Sequence, residues 1–330
     1  MAGVERIGRR EQTDRMSTAD TRTTAALGVA ARRVATRARR AQSLGATRPS
    51  FQRRFTNAVM VGLLALSAIV ATIPLVVILF HLLRTGLGSV RPSFFTNMPK
   101  PVGEPGGGMA NAIVGTLILI AMACGVGVPV GIGAGLYLAE FRASKLAFFV
   151  RFLSDVLNGL PSIVIGIFAW ELLVRPVRHF SALAGGVALG VMMIPLLTRS
   201  TEEMIRTVPN SLREAALALG YSRWRTSLTI VLRTALPGIV TGGLVAVARI
   251  AGETAPLLFT AFGNQFWSTA PGSPMAALPL QIFNYAISPY NDWHAQAWAG
   301  ALVLISMVLV IGVLARFATR SRFGVGAGGD

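Results

Sequence analysis

The chain has 330 residues, of which 53% are hydrophobic and 14% are charged, and its mean hydropathy is +0.59. This composition excludes an ordinary soluble domain and favours a protein that crosses a membrane several times. The 31 basic residues outnumber the 14 acidic ones, but they do not line one folded face as a nucleic-acid surface would require. We therefore expect no nucleic acid partner.

Residues 1–55 form a basic segment with 13 Arg and 4 acidic residues. A segment of this composition is predicted to be a disordered cytoplasmic tail. The same composition is compatible with a mitochondrial transit peptide, and Met16 offers a later start. No apolar run with a small-residue cleavage site precedes residue 56, so a removable signal peptide is not expected.

Six apolar stretches are long enough to cross a hydrocarbon core, which takes about 20 residues. The stretches cover residues 56–83, 111–139, 148–174, 181–198, 235–262 and 297–315. We therefore predict an all-α membrane protein whose six-helix transmembrane domain spans residues 56–318. A second short cytoplasmic tail is expected over residues 319–330.

Basic residues orient the predicted spans, because Lys and Arg are retained preferentially on the cytoplasmic side. With both termini inside, the cytoplasmic segments hold 25 basic residues and the outer loops hold five. Without the basic tail the ratio is still 12 to 5. The N- and C-termini are therefore both predicted to be cytoplasmic.

The second apolar stretch carries Gly127, Gly131 and Gly135 at intervals of four residues. This spacing leaves bare backbone along one face of a helix and predicts close contact with another helix. A dinucleotide-binding loop would need a different glycine spacing after a strand pattern, and the stretch has neither.

The residues with catalytic or ligating side chains predict neither a metal site nor a cofactor. Cys124 is the only cysteine, and the three histidines are scattered without ligand spacing. A phosphate-binding P-loop needs a lysine after a glycine-rich turn. The chain has only Lys100 and Lys145, and neither follows a glycine. This pattern argues against an ATPase or a kinase.

The two longest connections between apolar stretches differ in charge. Residues 263–296 contain no Lys or Arg but four prolines and several aromatic residues, which is typical of an outer loop or a re-entrant turn. Residues 199–233 are basic, helix-forming and predicted to be cytoplasmic.

Charged residues inside the fifth stretch are the strongest sign of function. Arg249 and Glu253 cost energy in an apolar segment and, four residues apart, share one helix face. Arg249 is a candidate donor to an oxyanion in transit, with Glu253 holding it when the path is empty. A buried structural ion pair is the alternative. Arg199 is a candidate second anion contact or, alternatively, a positive-inside anchor.

The run SLREAALALGYSRWRTSLTIVLR, within residues 199–233, resembles the EAA loop of ABC importer permeases. In that family the loop forms a short helix and a glycine turn that dock into a groove on a separate ATPase subunit. The matching positions are Glu214, Ala215, Ala216 and Gly220. Arg233 stands where the longer form of the motif has proline.

Longer strings resemble the PstA-type permeases of phosphate ABC importers, among them ARIAGETAPLLFTA, DVLNGLPSIVIGIFAW and IPLLTRSTEEMIRTVPNSLREAALALG. The resemblance covers about residues 110–315 and excludes the basic tail. It implies a type I importer permease fold in the bacterial inner membrane. Arg199, Arg249 and Glu253 match positions that this family associates with phosphate passage.

The implied partners are a homologous second permease subunit, two ATPase subunits, an extracytoplasmic phosphate-binding protein and membrane lipid. Asp155, Asn158 and Pro161 also match a family motif, and helix capping and a kink account for them. The expected mechanism is alternating access driven by ATP hydrolysis in the partner subunits.

Three other functions are compatible with parts of the sequence. A permease for sulfate or molybdate would share the EAA loop. A proton-coupled transporter could use Arg249 and Glu253, although such folds often show inverted repeats and more than six spans. A membrane scaffold would account for the basic tail alone.

Overall fold

The computed structural model describes residues 51–104 and 106–323, without the side chains of residues 54 and 318–323. Predictions for residues 1–50 and 324–330, including nearly all of the basic tail, lie outside the described residues. The described part of the chain is helical, and its only β-contact is an isolated bridge between Phe262 and Met275.

The helices are numbered here in chain order. They are α1 (Phe51–Gly86), α2 (Pro92–Thr96), α3 (Ala110–Glu140), α4 (Lys145–Gly159), α5 (Ser162–Val174), α6 (Ala182–Arg206), α7 (Asn210–Ala218), α8 (Arg223–Ala251), α9 (Ala255–Thr260), α10 (Leu278–Ala286) and α11 (Asn291–Phe323). Both α5 and α8 include a π-helical turn, over Trp170–Val174 and Thr226–Val231.

The chain divides into two contact units within α1, the first ending at Leu75 and the second beginning at Val76. In the first unit, every side chain described between Phe51 and Leu75 is exposed. Most of these side chains are apolar, and lipid tails solvate such a surface as well as a protein core does. The second unit contains the remaining helices and the buried core.

Five helices, α1, α3, α6, α8 and α11, are each long and apolar enough to cross a membrane. The third predicted stretch is not one straight span, because α4 and α5 meet at an angle of 105°. The break lies at Leu160 and Pro161, where proline cannot donate a backbone hydrogen bond. The described residues give six spans if this bent pair crosses the membrane once.

Two helices extend beyond the predicted apolar stretches, on either side of the connection that is predicted to be cytoplasmic. Helix α6 continues to Arg206 instead of ending at residue 198, and α8 begins at Arg223 instead of residue 235. Polar residues extend both helices because their backbone hydrogen bonds do not depend on apolar side chains. The connection assigned to residues 199–233 therefore shortens to residues 207–222, which contain α7.

Close packing between α3 and α6 organises the core of the second unit. A Cβ atom built on the predicted glycines would approach α6 to 3.1 Å at Gly127, 2.9 Å at Gly131 and 2.5 Å at Gly135. The residues that these glycines meet are themselves four apart, namely Met193, Leu197 and Thr201. The prediction of a helix-packing face is confirmed, and α3 and α6 run in the same direction.

Helix α8 packs against α6 through two further glycines. Gly238 lies against Met204, and Gly242 lies against Ser200 so closely that any side chain at residue 242 would collide with it. The order of these contacts makes α6 and α8 antiparallel. Three long helices, α3, α6 and α8, therefore pack together in the core, and the glycines between them set how closely they approach.

The segment after α9 returns into the protein before α10 begins. The Asn111 side chain donates to the Asn264 carbonyl at 2.9 Å, and the Leu278 N–H donates to Thr116 Oγ1 at 2.8 Å. Residues 275–281 are all buried. Irregular backbone at membrane depth is tolerated only when protein covers it, so these contacts favour the re-entrant alternative.

Substitution of Gly135 by Ala tests the packing of α3 on α6. We expect Gly135→Ala to destabilise the protein by about 1–3 kcal/mol because the new methyl group meets Thr201 and the Thr198 carbonyl. Gly133→Ala is the matched control, since nothing lies within 4 Å of its Cβ position. Thermal unfolding of the purified protein measures both, and equal stability of the two variants would contradict the packing.

Candidate functional site

Arg199 lies on α6 between the carboxylates of Asp155, which is exposed, and Glu202, which is buried. Its Nη2 atom is 2.5 Å from each carboxylate oxygen of Asp155, and its Nε atom donates to Asp155 Oδ1 at 3.1 Å. Its Nη1 atom donates to Glu202 Oε2 at 3.4 Å. The guanidinium therefore joins α6 to α4 and is occupied in this conformation.

Glu202 is the centre of the cluster and is almost completely buried, with 1% of its surface exposed. Its Oε1 atom accepts hydrogen bonds from Arg151 Nε at 2.8 Å and from an Arg206 Nη atom at 2.5 Å. With Arg199 on the other oxygen, three guanidinium groups surround one carboxylate. A buried carboxylate needs such partners, because an unpaired charge away from water is strongly destabilising.

Arg151 connects this cluster to the end of α3. Its Nη2 atom donates to the Leu138 carbonyl at 2.9 Å, and its Nη1 atom donates to the Arg142 carbonyl at 3.3 Å. Arg151 and Asp155 are four residues apart on α4, so one face of that helix supplies both a donor and an acceptor. The structure does not use Asp155 as a helix cap, which corrects the sequence-based interpretation.

The cluster as a whole carries a positive excess, since three arginines face two carboxylates. The Asp155 side chain is 58% exposed, whereas that of Glu202 is 2% exposed. A planar guanidinium presents paired donors that fit carboxylates and phosphates alike. The partly exposed side of the cluster can therefore accept an oxyanion.

Arg249 and Glu253 form a second, looser pair where α8 ends. Their closest atoms, Arg249 Nε and Glu253 Oε1, are 3.9 Å apart, which is within ion-pair distance but too long for a hydrogen bond. The Arg249 side chain is 49% exposed and that of Glu253 is 19% exposed. In this chain the pair is therefore only partly buried.

The backbone breaks at the position of this second pair. Helix α8 ends at Ala251, Gly252 is its C-terminal cap, and Pro256 lies in the first turn of α9. Glu253 belongs to the short connection between the two helices. The sequence prediction that glycine and proline weaken the helix here is confirmed.

The two arginines occupy different levels of the same helix bundle. Arg249 follows Gly242 by seven residues and lies on the same face of α8, about 10 Å further along the axis from the level of Ser200. Among the described residues, no hydrogen bond or ion pair joins Arg199 to Arg249 or Glu253. They are two separate positions and not one site.

The EAA-like segment forms α7 and ends in a glycine turn. Gly220 has φ +83°, its N–H donates to the Leu217 carbonyl at 3.0 Å, and the Tyr221 N–H donates to the Ala216 carbonyl at 3.1 Å. This pair of bonds is the Schellman arrangement that closes a helix when a glycine takes the left-handed conformation. Glu214 and Ala215 are exposed, and Ala216 is buried.

Helix α7 is attached to the end of α3 through charge. Arg213 donates to Glu140, the last residue of α3, and both side chains are largely buried at 20% and 24% exposure. Arg233 lies within α8, so the helix continues where the longer motif of the family has proline. The short helix ends at Ala218 for the separate reason that Gly220 turns the chain.

The sequence did not reveal Glu202, Arg151 or the pairing role of Asp155. A local signal was present, because Arg199, Glu202 and Arg206 follow one another at intervals of three and four residues. The contact with α4 joins residues 44 and 51 positions apart and has no sequence signature.

No group of three His, Cys, Asp or Glu side chains among the described residues is placed to hold a metal ion.

Comparison with known proteins places the chain among transport permeases. Residues 127–322 match the family described as binding-protein-dependent transport system inner membrane component. The phosphate transport system permease protein PstA of Yersinia pestis is 48% identical over 73% of this chain and 82% of its own length. PstA 1 of Mycobacterium tuberculosis is 36% identical over 83% of this chain and 93% of its own length.

Solved structures of ABC transporters share the fold. A bacterial alginate ABC transporter superposes with a TM-score of 0.60 at 14% identity, over 84% of this chain and 99% of that chain. The inward-facing MetNI methionine ABC transporter gives a TM-score of 0.51 at 21% identity, over 64% of this chain and 96% of that chain. At such identities the likeness concerns the fold alone.

Neutralising Glu202 tests whether the buried carboxylate organises the arginine cluster. We expect Glu202→Gln to destabilise the protein by about 3 kcal/mol because three guanidinium groups lose their shared negative charge. Glu203→Gln changes an exposed neighbour and should leave stability nearly unchanged. Thermal unfolding compares the two variants, and an unchanged melting temperature for Glu202→Gln would refute the assignment.

Proposed function

The chain belongs to the binding-protein-dependent transport inner membrane component family and, within it, to the PstA phosphate permeases; from this premise we propose its substrate path and its coupling contacts. The protein is a multi-pass inner-membrane permease subunit of a phosphate ABC importer. It is a transport subunit and not itself an enzyme. We propose that Arg199, Arg249 and Glu253 contact phosphate as it passes.

The half-exposed side chain of Arg249 is the observation that carries the proposed path. An arginine at the end of an apolar span is costly against lipid and faces a bundle interior or a water-filled cavity instead. Arg249 lies on the same face of α8 that contacts α6 through Gly242, yet α6 leaves half of its side chain uncovered. This placement supports a path along that face, completed by another subunit.

Arg249 is also free to exchange its partner. The gap of 3.9 Å to Glu253 leaves the guanidinium donors available to an oxyanion while the carboxylate stays close enough to balance the charge in an empty path. The break between α8 and α9 allows Glu253 to move without unwinding a continuous helix. Arg199 lies at a different position along the bundle axis and would bind phosphate in a second step.

We propose that α7 docks on an ATPase subunit through the exposed surface around Glu214 and Ala215, while the buried Ala216 packs against the rest of the protein and Gly220 closes the helix. The exposed residues of α7 support this role, because a docking surface must be uncovered in the isolated subunit. Docking motion would pass to the membrane helices through Arg213 and Glu140, the ion pair that attaches α7 to α3.

A continuous set of polar contacts connects that attachment with Arg199. Two residues before Glu140, the Leu138 carbonyl accepts a hydrogen bond from Arg151, which also donates to Glu202. Glu202 in turn contacts Arg199. Movement of α7 therefore has a direct mechanical route to the proposed path, and it crosses three helices.

The complete importer requires partners that supply what this chain does not. We propose a homologous second permease subunit as the other wall of the path, two ATPase subunits on the α7 side and an extracytoplasmic phosphate-binding protein as the donor of substrate. Membrane lipid covers the exposed apolar surface of the spans. The proposed mechanism is alternating access, in which ATPase closure changes the side from which the path is open.

Phosphate uptake with Arg249→Ala tests the proposed path. The full importer in proteoliposomes, energised by ATP, should lose uptake about tenfold or more, since a charge-assisted contact contributes about 1.5–3 kcal/mol. Uptake by the unaltered protein should resist excess sulfate. Radiolabelled phosphate is the readout.

The control for this experiment is Arg84→Ala, which removes an exposed arginine from the end of α1. It should transport normally. If Arg249→Ala assembles with its partners and still transports at the normal rate, Arg249 is not part of the path. If sulfate competes with phosphate at similar concentrations, the selectivity is for oxyanions in general.

Two substitutions of Gly220 test the coupling turn. Nothing lies within 4 Å of its Cβ position, so only the positive φ restricts the residue. We expect Gly220→Val to reduce ATP-driven uptake severalfold, because left-handed backbone costs about 1–2 kcal/mol for most residues and more when they are β-branched. Gly220→Asn should retain uptake, since asparagine tolerates this conformation. Equal uptake by both variants would contradict a role for the turn.

A further inference from the structure

We infer that Asp155 is an internal competitor for the oxyanion site of Arg199: its carboxylate occupies the guanidinium when the path is empty, and substrate displaces it. Glu202 keeps the guanidinium in position during the exchange. Asp155 is thus a specificity-determining residue and Glu202 a positioning residue. The inference rests on the proposed role of Arg199 in the substrate path.

The two carboxylates around Arg199 differ in how firmly they are held. Glu202 is buried and accepts hydrogen bonds from Arg151 and Arg206 as well as Arg199. Among the described residues, Asp155 has an ion pair with Arg199 alone, and more than half of its side chain is exposed. Asp155 can therefore leave without exposing a buried charge, whereas Glu202 cannot.

The contacts of Asp155 are those that an oxyanion would make. Both of its oxygens lie 2.5 Å from Arg199 Nη2, and Nε adds a contact of 3.1 Å to one of them. Carboxylate and phosphate oxygens accept the same paired donors from a guanidinium. An arriving phosphate can therefore form its contacts with Arg199 only after this carboxylate has moved away.

The charge balance favours such an exchange for a multiply charged anion. With Asp155 in place, three arginines face two carboxylates. When Asp155 leaves, the same three arginines face Glu202 alone, and the additional positive charge suits a doubly charged oxyanion better than a singly charged one. Asp155 also limits binding, so the anion is held loosely enough to continue along the path.

The position of Asp155 in the fold allows it to move. It lies on α4, one and a half turns before the break at Leu160 and Pro161, while Arg199 and Glu202 both lie on α6. The ion pair therefore joins two helices, one of which ends at a bend of 105°. A movement confined to the last turn of α4, beyond Arg151, would separate the carboxylate from the guanidinium while Arg151 and Arg199 both remain in contact with Glu202.

Equilibrium binding of inorganic phosphate to the assembled importer tests the inference. The complex is purified in lipid nanodiscs without the binding protein, and radiolabelled phosphate is titrated onto the unaltered protein and onto the Asp155→Asn, Glu203→Gln and Arg199→Gln variants. Removing an exposed competitor should tighten binding by about two- to fivefold in Asp155→Asn. Glu203→Gln, an exposed neutralisation on α6, should bind as the unaltered protein does.

Two further variants separate competition from a structural role. Arg199→Gln should weaken phosphate binding. The double variant, Asp155→Asn with Arg199→Gln, should bind phosphate no more tightly than Arg199→Gln alone, because the guanidinium for which Asp155 competes is then absent. Size-exclusion chromatography confirms that each variant is assembled. Tighter binding should also slow release, so ATP-driven uptake by Asp155→Asn should fall while its phosphate affinity rises.

The outcomes distinguish this inference from the proposed function. If Asp155→Asn binds phosphate with unchanged or weaker affinity while Arg199→Gln weakens binding, Asp155 is not a competitor and Arg199 remains in the path. If Arg199→Gln assembles, binds and transports normally, the proposed role of Arg199 fails, and the inference about Asp155 fails with it. An Asp155→Asn variant that loses assembly is replaced by Asp155→Ser, which also removes the carboxylate and should tighten phosphate binding; unchanged or weaker binding by that variant overturns the inference.

Discussion

A single buried carboxylate, shared by three arginines, is the constraint on which one end of this bundle depends. Glu202 lies on α6 with almost no exposed surface, so its charge is tolerable only while its guanidinium partners remain in place. Those partners come from α4 and from α6 itself. The electrostatic requirement of one side chain thus determines the relative position of two spans and the orientation of Arg199.

The same cluster brings together parts of the molecule with different tasks. Through Arg151 it contacts the end of α3, and through the last residue of α3 it reaches the exposed helix α7. On its other side, Arg199 faces a partly exposed region through Asp155. A surface suited to docking and a position suited to anion binding are therefore connected by short, directional contacts, not by apolar packing alone.

The helices pack closely where glycines lie between them, and a charged side chain is exposed where that close packing ends. Where α3, α6 and α8 meet, several glycine positions leave no room for a side chain, and the helices cannot slide freely past one another. Where α8 ends, this close packing stops, and Arg249 is half exposed beside a backbone break. Close helix packing and an uncovered charge therefore lie next to each other in the fold.

The sequence by itself determined the class of fold, because apolar stretches of sufficient length and glycines at intervals of four are local patterns with one physical reading each. It also determined the glycine turn after Ala218 and the weak point near Gly252. Pro161 likewise indicated the kink between α4 and α5, because the effect of a proline is local. The tertiary structure decided the angle of that bend and the partners of Arg199. The partners depend on contacts between residues more than forty positions apart, and an ion pair such as Arg199 with Asp155 leaves no periodic trace in either segment.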